Sequence, residues 1–275
     1  MIFTNIYRII SIILRPLINH WLKTRVKNGK EDSIRYIEKK GYASKIRPQG
    51  KLVWIHAVSV GESISSLSLI KELEAQGYNV LLTTSTFTSG KLMKEKLPES
   101  VIHQYCPMDV NKWVKRFLDY WKPDLAIMIE SELWVNILRN LNKRNVPIFL
   151  INARMSNKTM NMWRKIPFVA KAMFSYFDYI TAQTQNYADF IKGFTNVPVE
   201  MIGNLKQASP APDVNKKDLA TLQKQIGNRP VWVVASTHPQ DEIFIETAIN
   251  KLHKQHINLL TIIVPRHPER LNEVK

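Results

Sequence analysis

Carboxylates that follow apolar runs are the residues in this chain best suited to chemistry. In HAVSVGES, residues 56–63, Glu62 stands just after Gly61, where an apolar run gives way to a helical pattern. Two roles fit it. Ser59 precedes it by three positions, the S-x-x-E signature of a capping box, and capping alone accounts for the pair. A carboxylate at a helix N-terminus is also placed to take a proton as a general base. In IESELW, residues 129–134, Glu130 and Glu132 lie two apart at the end of another run. If the strand continues through them they point to opposite sides, one into a cleft and one toward the cap of the next helix. INARMS, residues 151–156, offers Asn152 and Arg154 to an anionic group, with surface ion pairing as the plain alternative. ASTHPQDE (235–242) and VPRHPER (264–270) carry Ser236, Thr237 and His238 at a helix start, and Arg266 with His267 after a neighbouring strand. Hydroxyls, helix N–H groups and a guanidinium can surround a phosphate.

These residues need a scaffold that gathers them. Apolar runs at 52–58, 79–84, 101–106, 124–129, 146–151, 179–182 and 199–202 alternate with segments of helix length such as 111–121 and 132–145. Within 52–73, Ile64, Leu67, Ile70 and Leu73 recur every third position, which predicts strand, tight turn, helix. Such alternation predicts a parallel sheet with crossover helices, a Rossmann-like domain over 31–203, with ligands beyond the carboxyl ends of its strands. Residues 204–215, with two prolines, read as a linker, within a linker region taken as 204–228 that also holds a helix at 217–226. A strand at 231–236, a helix at 241–253 and a strand at 259–264 then begin a second domain, 229–275. One β-α-β unit is too small to enclose its own core, so this second domain is expected to be incomplete.

The composition narrows the class. Apolar residues make up 45% and charged residues 23%, which excludes disorder for most of the chain. A single cysteine, Cys106, excludes a disulfide framework and fits a reducing compartment. The histidines lack metal-ligand spacing, and neither a Walker phosphate loop nor a G-x-G-x-x-G fingerprint is present, so no metal and no cofactor is expected. The formal net charge is +16, and residues 1–48 hold eleven Lys and Arg against three Asp and Glu, half of that excess. Aromatic and basic residues do not interleave, so nucleic acid is not the expected partner. Residues 1–22 are rich in Ile and Leu but contain Arg8, Arg15 and Pro16, and a basic run follows at 23–30. This predicts a membrane-associating segment over 1–30, an interfacial helix or short anchor with snorkelling arginines on an anionic surface. A buried terminal helix with a solvated basic loop is the alternative.

HAVSVGES, ESELW, INARMS, GNLK (203–206), STHPQDE and PRHPER, in this order and spacing and behind an apolar N-terminal segment, resemble the Kdo transferases of lipopolysaccharide synthesis. The resemblance implies an α/β GT-B architecture at the cytoplasmic side of the bacterial inner membrane. It implies inverting transfer of 3-deoxy-D-manno-octulosonic acid (Kdo) from CMP-Kdo to the tetraacyl lipid A precursor, lipid IVA. Glu62 would then be the base, Glu130 the second catalytic candidate with Glu132 beside it, and Ser59, Asn152 and Arg154 acceptor or positioning residues. Ser236, Thr237, His238, Arg266 and His267 would contact the donor. The chain departs from the family pattern at Val135, where proline is usual, and after GNLK, where an F-D pair is common. A glycine-rich segment and a G-G-H-N-x-x-E stretch of the family fall beyond Lys275, which implies a C-terminally truncated chain. The competing expectation is a catalytically silent membrane-surface module that binds lipid.

Overall fold

Strand residues that are apolar on both faces require a sheet covered on both sides. The computed structural model describes residues 2–208 and 214–273. The chain divides into two compact units, Met1–Pro210 and Ala211–Lys275.

The first unit opens with α1 (Ile2–Ile13) and α2 (Arg15–Lys27) and a 3₁₀ turn at Arg35–Lys40. It continues through β1 (Leu52–His56), α3 (Val60–Ser65), α4 (Leu67–Ala75), β2 (Asn79–Thr84), α5 (Phe87–Lys96), β3 (Ile102–Tyr105) and α6 (Asn111–Trp121). Next come β4 (Leu125–Ile129), α7 (Val135–Asn142), β5 (Ile148–Ala153), α8 (Asn157–Lys165), α9 (Pro167–Phe174), β6 (Tyr179–Ala182), α10 (Gln185–Lys192) and β7 (Val199–Met201). The strands form one sheet in the order β3-β2-β1-β4-β5-β6-β7, with every pairing parallel. Successive residues feed opposite faces. Leu52, Trp54, Leu81, Met128 and Leu150 join the larger core, which includes Phe117, Trp121 and Phe174, while Val53, Ile55, Val80, Leu82 and Ile127 face the smaller one with Ile70 and Met93.

Two local features depart from the sequence pattern. The single helix expected from Ile64 to Leu73 breaks at Ser66, where the hydroxyls of Ser63, Ser65 and Ser66 bond back to the carbonyls of Ser59, Glu62 and Ser63. Strand β5 runs two residues farther than the apolar pattern, through a bulge at which Asn152 takes φ +64°.

Helix α1 docks through Phe3, Thr4, Tyr7 and Ser11 and turns isoleucines outward. Thr4 and Ser11 are buried, and Asn136 Nδ2 donates to Ser11 Oγ at 3.1 Å, while Ile6, Ile9 and Ile10 are about half exposed and Ile13 is 67% exposed. Among the described residues no helix is long and apolar enough to cross a membrane.

The second unit, taken by itself, holds α11 (Lys216–Ile226), β8 (Val231–Thr237), α12 (Pro239–Gln255) and β9 (Leu260–Pro265), with β8 and β9 parallel. Val233, Phe244 and Val264 are exposed, and Ile245 is its buried apolar residue. A two-stranded sheet with one crossover helix leaves apolar surface uncovered.

Candidate active site

The strand order of the first unit reverses between β1 and β4, the switch point at which open α/β sheets bind ligands. Glu62 follows β1, and Glu130 and Glu132 follow β4. The topology therefore brings all three carboxylates to one crevice.

Glu62 is 8% exposed. Ser59, the N-cap of α3, accepts from Glu62 N at 3.3 Å and donates its hydroxyl to Glu62 Oε1 at 2.7 Å. Val58 N donates to Oε2 at 2.7 Å. The capping arrangement is thus present, with the return bond one residue earlier than the usual N-cap amide. Capping and base chemistry do not compete here. Two donors occupy two of the carboxylate's four lone-pair sites and fix its orientation, leaving acceptor capacity on both oxygens.

Both carboxylates after β4 feel Glu62. Burial first, then the charge of Glu62, pushes Glu132 up to about 7. Glu130 is raised by burial and by Glu62, and lowered by Lys206 and Arg154. Neither caps the helix that follows. The strand stops at Ile129, Glu130 turns away at φ +63°, and Asp109 supplies the cap instead, accepting from Asn136 N at 3.0 Å and Ile137 N at 2.9 Å. Burial raises the Asp109 carboxyl to about 6 against those bonds. Glu132 accepts from Trp134 Nε1 at 2.5 Å. It also borders an apolar cleft of about 240 Å³ walled by Leu133, Trp134, Met155, Met162 and Trp163.

Cations come from β5 and from the turn after β7. Arg154 is exposed beyond β5, and its carbonyl accepts the hydroxyl of Ser131. Asn152 is fully buried, so it does not meet a ligand at the surface as Arg154 does. Its Oδ1 accepts from Leu205 N at 2.9 Å and its own N–H bonds Thr181 Oγ1 at 3.0 Å. That bond ties the Gly203–Lys206 turn to the sheet. A Cβ on Gly61 would lie 3.5 Å from Lys206 Nζ, which places this amine over the start of α3. Lys206 and His56 are site residues that side-chain type and spacing did not single out. Lys206 sat unremarked within GNLK, and His56 lay within the apolar run at 52–58 without a role of its own. His56 is fully buried, and burial holds its imidazole down at about 4.

In the second unit the parallel pairing brings the ends of β8 and β9 together, and Arg266 N donates to Thr237 O at 3.0 Å. Ser236 takes φ +61°, and the His238 and His267 rings meet at 6.0 Å, edge to face. His238 is the N-cap of α12, with its N–H bonded to Asp241 Oδ2 at 2.9 Å. Thr237 is buried, and its hydroxyl is committed to Glu242 Oε1 at 3.0 Å, a carboxylate also gripped by Arg270 at 3.2 and 2.8 Å. Ser236, His238, Arg266 and His267 are the members of this set left facing solvent.

Residues 34–209 match the family described as 3-deoxy-D-manno-octulosonic-acid transferase (kdotransferase). The chain is 35% identical over 273 residues to a protein of Rickettsia bellii named 3-deoxy-D-manno-octulosonic acid transferase, covering 98% of this chain and 65% of that one. It is 33% identical to the protein of the same name from Haemophilus influenzae, covering 98% of this chain and 64% of that one. The chain thus spans a little under two thirds of the length of these relatives. A solved glycosyltransferase from Rickettsia africae superposes with a TM-score of 0.55 at 14% identity, over 83% of this chain and 64% of that one, which places the fold in the GT-B class.

Proposed function

The chain belongs to the 3-deoxy-D-manno-octulosonic-acid transferase family, and from that membership and the crevice geometry we propose that it serves Kdo transfer in lipopolysaccharide synthesis. The observation that carries the proposal is the Glu62 carboxylate, buried at the switch point and oriented by Ser59 Oγ and Val58 N. In this reading the donor is CMP-Kdo and the acceptor is the tetraacyl lipid A precursor. Glu62 takes the proton of the acceptor hydroxyl as its oxygen bonds the anomeric carbon, and the bond from that carbon to CMP breaks on the opposite face, with inversion. Lys206 and Arg154 offset the negative charge of the three glutamates, so that an anionic acid sugar can approach. The apolar cleft beside Glu132 suits an acceptor with acyl chains. Ser236, His238, Arg266 and His267 are assigned to the phosphate of CMP, whose departure needs hydrogen-bond and cationic stabilisation.

The exposed isoleucines of α1 favour work at a membrane surface, and we place that surface at the cytoplasmic side of the inner membrane. The same observation supports the second reading, a lipid-binding module without catalysis.

The test measures transfer from freshly generated CMP-Kdo to tetraacyl lipid A precursor, by this chain and by the chain joined to the C-terminal part of a relative. Glu62→Gln is expected to lower turnover by about 10²- to 10⁴-fold, since only the proton acceptor is lost. Wild-type turnover by that variant refutes the base. Folded protein without transfer in either form leaves the silent module.

A further inference from the structure

Four cations gather around a cavity away from the carboxylates. A cavity of about 370 Å³ is lined by Arg15, Lys40, Lys112 and Arg116, with Tyr42 and Trp113 as aromatic walls. Three separate parts of the chain build it: α2, the end of the 3₁₀ segment with the turn after it, and α6. No carboxylate lines it, and among the described residues none of the four cations forms an ion pair. Asp119, one turn along α6 from Arg116, is engaged by Arg144 at 2.5 Å. Arg116 is held in place, with its guanidinium 3.8 Å over the Tyr42 ring and its Nη1 donating to Lys40 O at 2.9 Å. The Lys40 ammonium is lowered by burial and by the charge of Lys23, and it lies 5.0 Å from the centre of the Tyr36 ring. Neighbouring cations with remaining N–H donors recognise a phosphate.

The rim of the cavity identifies the source of that phosphate. Arg15 and Pro16, which line the cavity, are chain neighbours of Ile13 and Leu17, each 67% exposed, and Trp21 farther along α2 is half exposed. A cationic hollow beside exposed apolar side chains matches the layering of a bilayer interface, with acyl chains against those side chains and headgroups at the charges. A soluble anion would use the hollow and leave the apolar side chains in water.

We propose that this cavity seats the phosphate of an anionic phospholipid headgroup when α1 and α2 lie in the membrane interface. The inference rests on the membrane placement given above and adds a discrete site to it. Such a site differs from a diffuse basic surface in depending on particular residues rather than on net charge.

The experiment measures partitioning of the full chain onto vesicles of phosphatidylcholine mixed with phosphatidylglycerol, beside phosphatidylcholine alone. It compares Arg15→Ala with Lys112→Ala in one variant against a control of equal charge loss on exposed helix faces elsewhere, Lys71→Ala with Lys94→Ala, with circular dichroism checking the fold of each. Each cation near an anionic surface contributes about 1 kcal/mol, so the cavity variant is expected to lose roughly 30-fold in partitioning to the mixed vesicles. The control is expected to lose less than about 3-fold through long-range screening. Equal losses in the two variants overturn the site while leaving membrane binding intact. No vesicle binding by the wild type overturns the membrane placement, and the site with it. Inorganic phosphate that releases the protein from vesicles at unchanged ionic strength, relative to chloride, reassigns the cavity to a soluble anion and overturns the lipid assignment.

Discussion

Nε2 of His56 lies 4.0 Å from Oε2 of Glu132 and has no hydrogen-bond partner, although it is fully buried. Nδ1 faces Thr83 Oγ1 at 2.9 Å and the Thr83 carbonyl at 3.3 Å. The carbonyl can only accept, so bonding it puts the proton on Nδ1 and leaves a lone pair at Nε2. With the imidazole held down at about 4 and the Glu132 carboxyl pushed up to about 7, neutral His56 faces a protonated Glu132 in weak acid. That pairing sets a donor opposite an unused acceptor at the crevice that holds Glu62.

The two shifts pull stability in opposite directions with pH. Glu132 is raised, so between 4.5 and about 7 the native state binds more protons than the unfolded chain, and stability falls as pH rises through that window. His56 is lowered, so between about 4 and 6.5 the unfolded chain binds more protons, and stability rises with pH. In the wild type these two slopes oppose one another. Glu132→Gln removes the first and is expected to make stability climb more steeply than in the wild type, by about 1 to 3 kcal/mol between these pH values. Urea unfolding across the window reads the slope directly, and a slope unchanged from the wild type counts against the Glu132 shift.

A second ionic feature holds the scaffold rather than the site. Glu38 is fully buried and accepts from Arg35 Nε at 2.8 Å, Arg35 Nη2 at 3.0 Å, Ser44 Oγ at 2.5 Å and Tyr105 N at 2.7 Å. Removing the acceptor leaves Arg35 and a β3 amide without it. Glu38→Ala is expected to cost about 3 to 5 kcal/mol, and Glu38→Gln less, because the amide oxygen still takes one donor. Denaturant midpoints of the two variants check the order, and a loss below 1 kcal/mol for the alanine variant refutes the role.

Much of this was legible from residue order. Parallel strands followed from apolar runs spaced by helix-length segments, and Glu62 was marked by its place after β1 and by Ser59 three residues before it. Arg154 and the carboxylates after β4 were marked as candidates in the same way. Long-range choices were not legible. Nothing near residue 135 says that Asp109 caps α7, because the cap comes from a different loop 27 residues earlier. Residues 1–22 read as apolar throughout apart from Arg8, Arg15 and Pro16, and only the fold shows that Thr4 and Ser11 lie on the docked face. Asn152 looked like a ligand because it follows an apolar run, and only the bulge in β5 shows that its amide turns inward.

Lys206 gives a measurable handle on the crevice. Its charge lowers Glu130 against the effects of burial and of Glu62. Lys206→Met is therefore expected to move the Glu130 titration upward, since the stabilisation of the ionised carboxyl is lost while both opposing influences remain. Carboxyl-carbon NMR of labelled protein follows the midpoint. Lys71→Met, which removes the same charge from an exposed face of α4, serves as the comparison. Equal movement in both would mean that Lys206 acts only through net charge.

Asn152 governs where Lys206 sits, because its Oδ1 holds the Leu205 amide and so anchors the turn that carries the lysine. The position is awkward to probe, since φ +64° strains most replacements. Two variants separate strain from hydrogen bonding. Asn152→Gly accepts the backbone angle and removes the acceptor, whereas Asn152→Asp keeps an acceptor of nearly the same shape. Hydrogen exchange at the Leu205 amide is expected to accelerate by about tenfold or more in the glycine variant, for the loss of roughly 1.4 kcal/mol of local protection. It should stay near the wild-type rate in the aspartate variant. The Glu130 titration should rise in the glycine variant as it does in Lys206→Met, because a released turn carries the ammonium away from the carboxylate. Faster exchange without that rise would separate the two effects, leaving Asn152 a structural tie whose release does not reach the crevice.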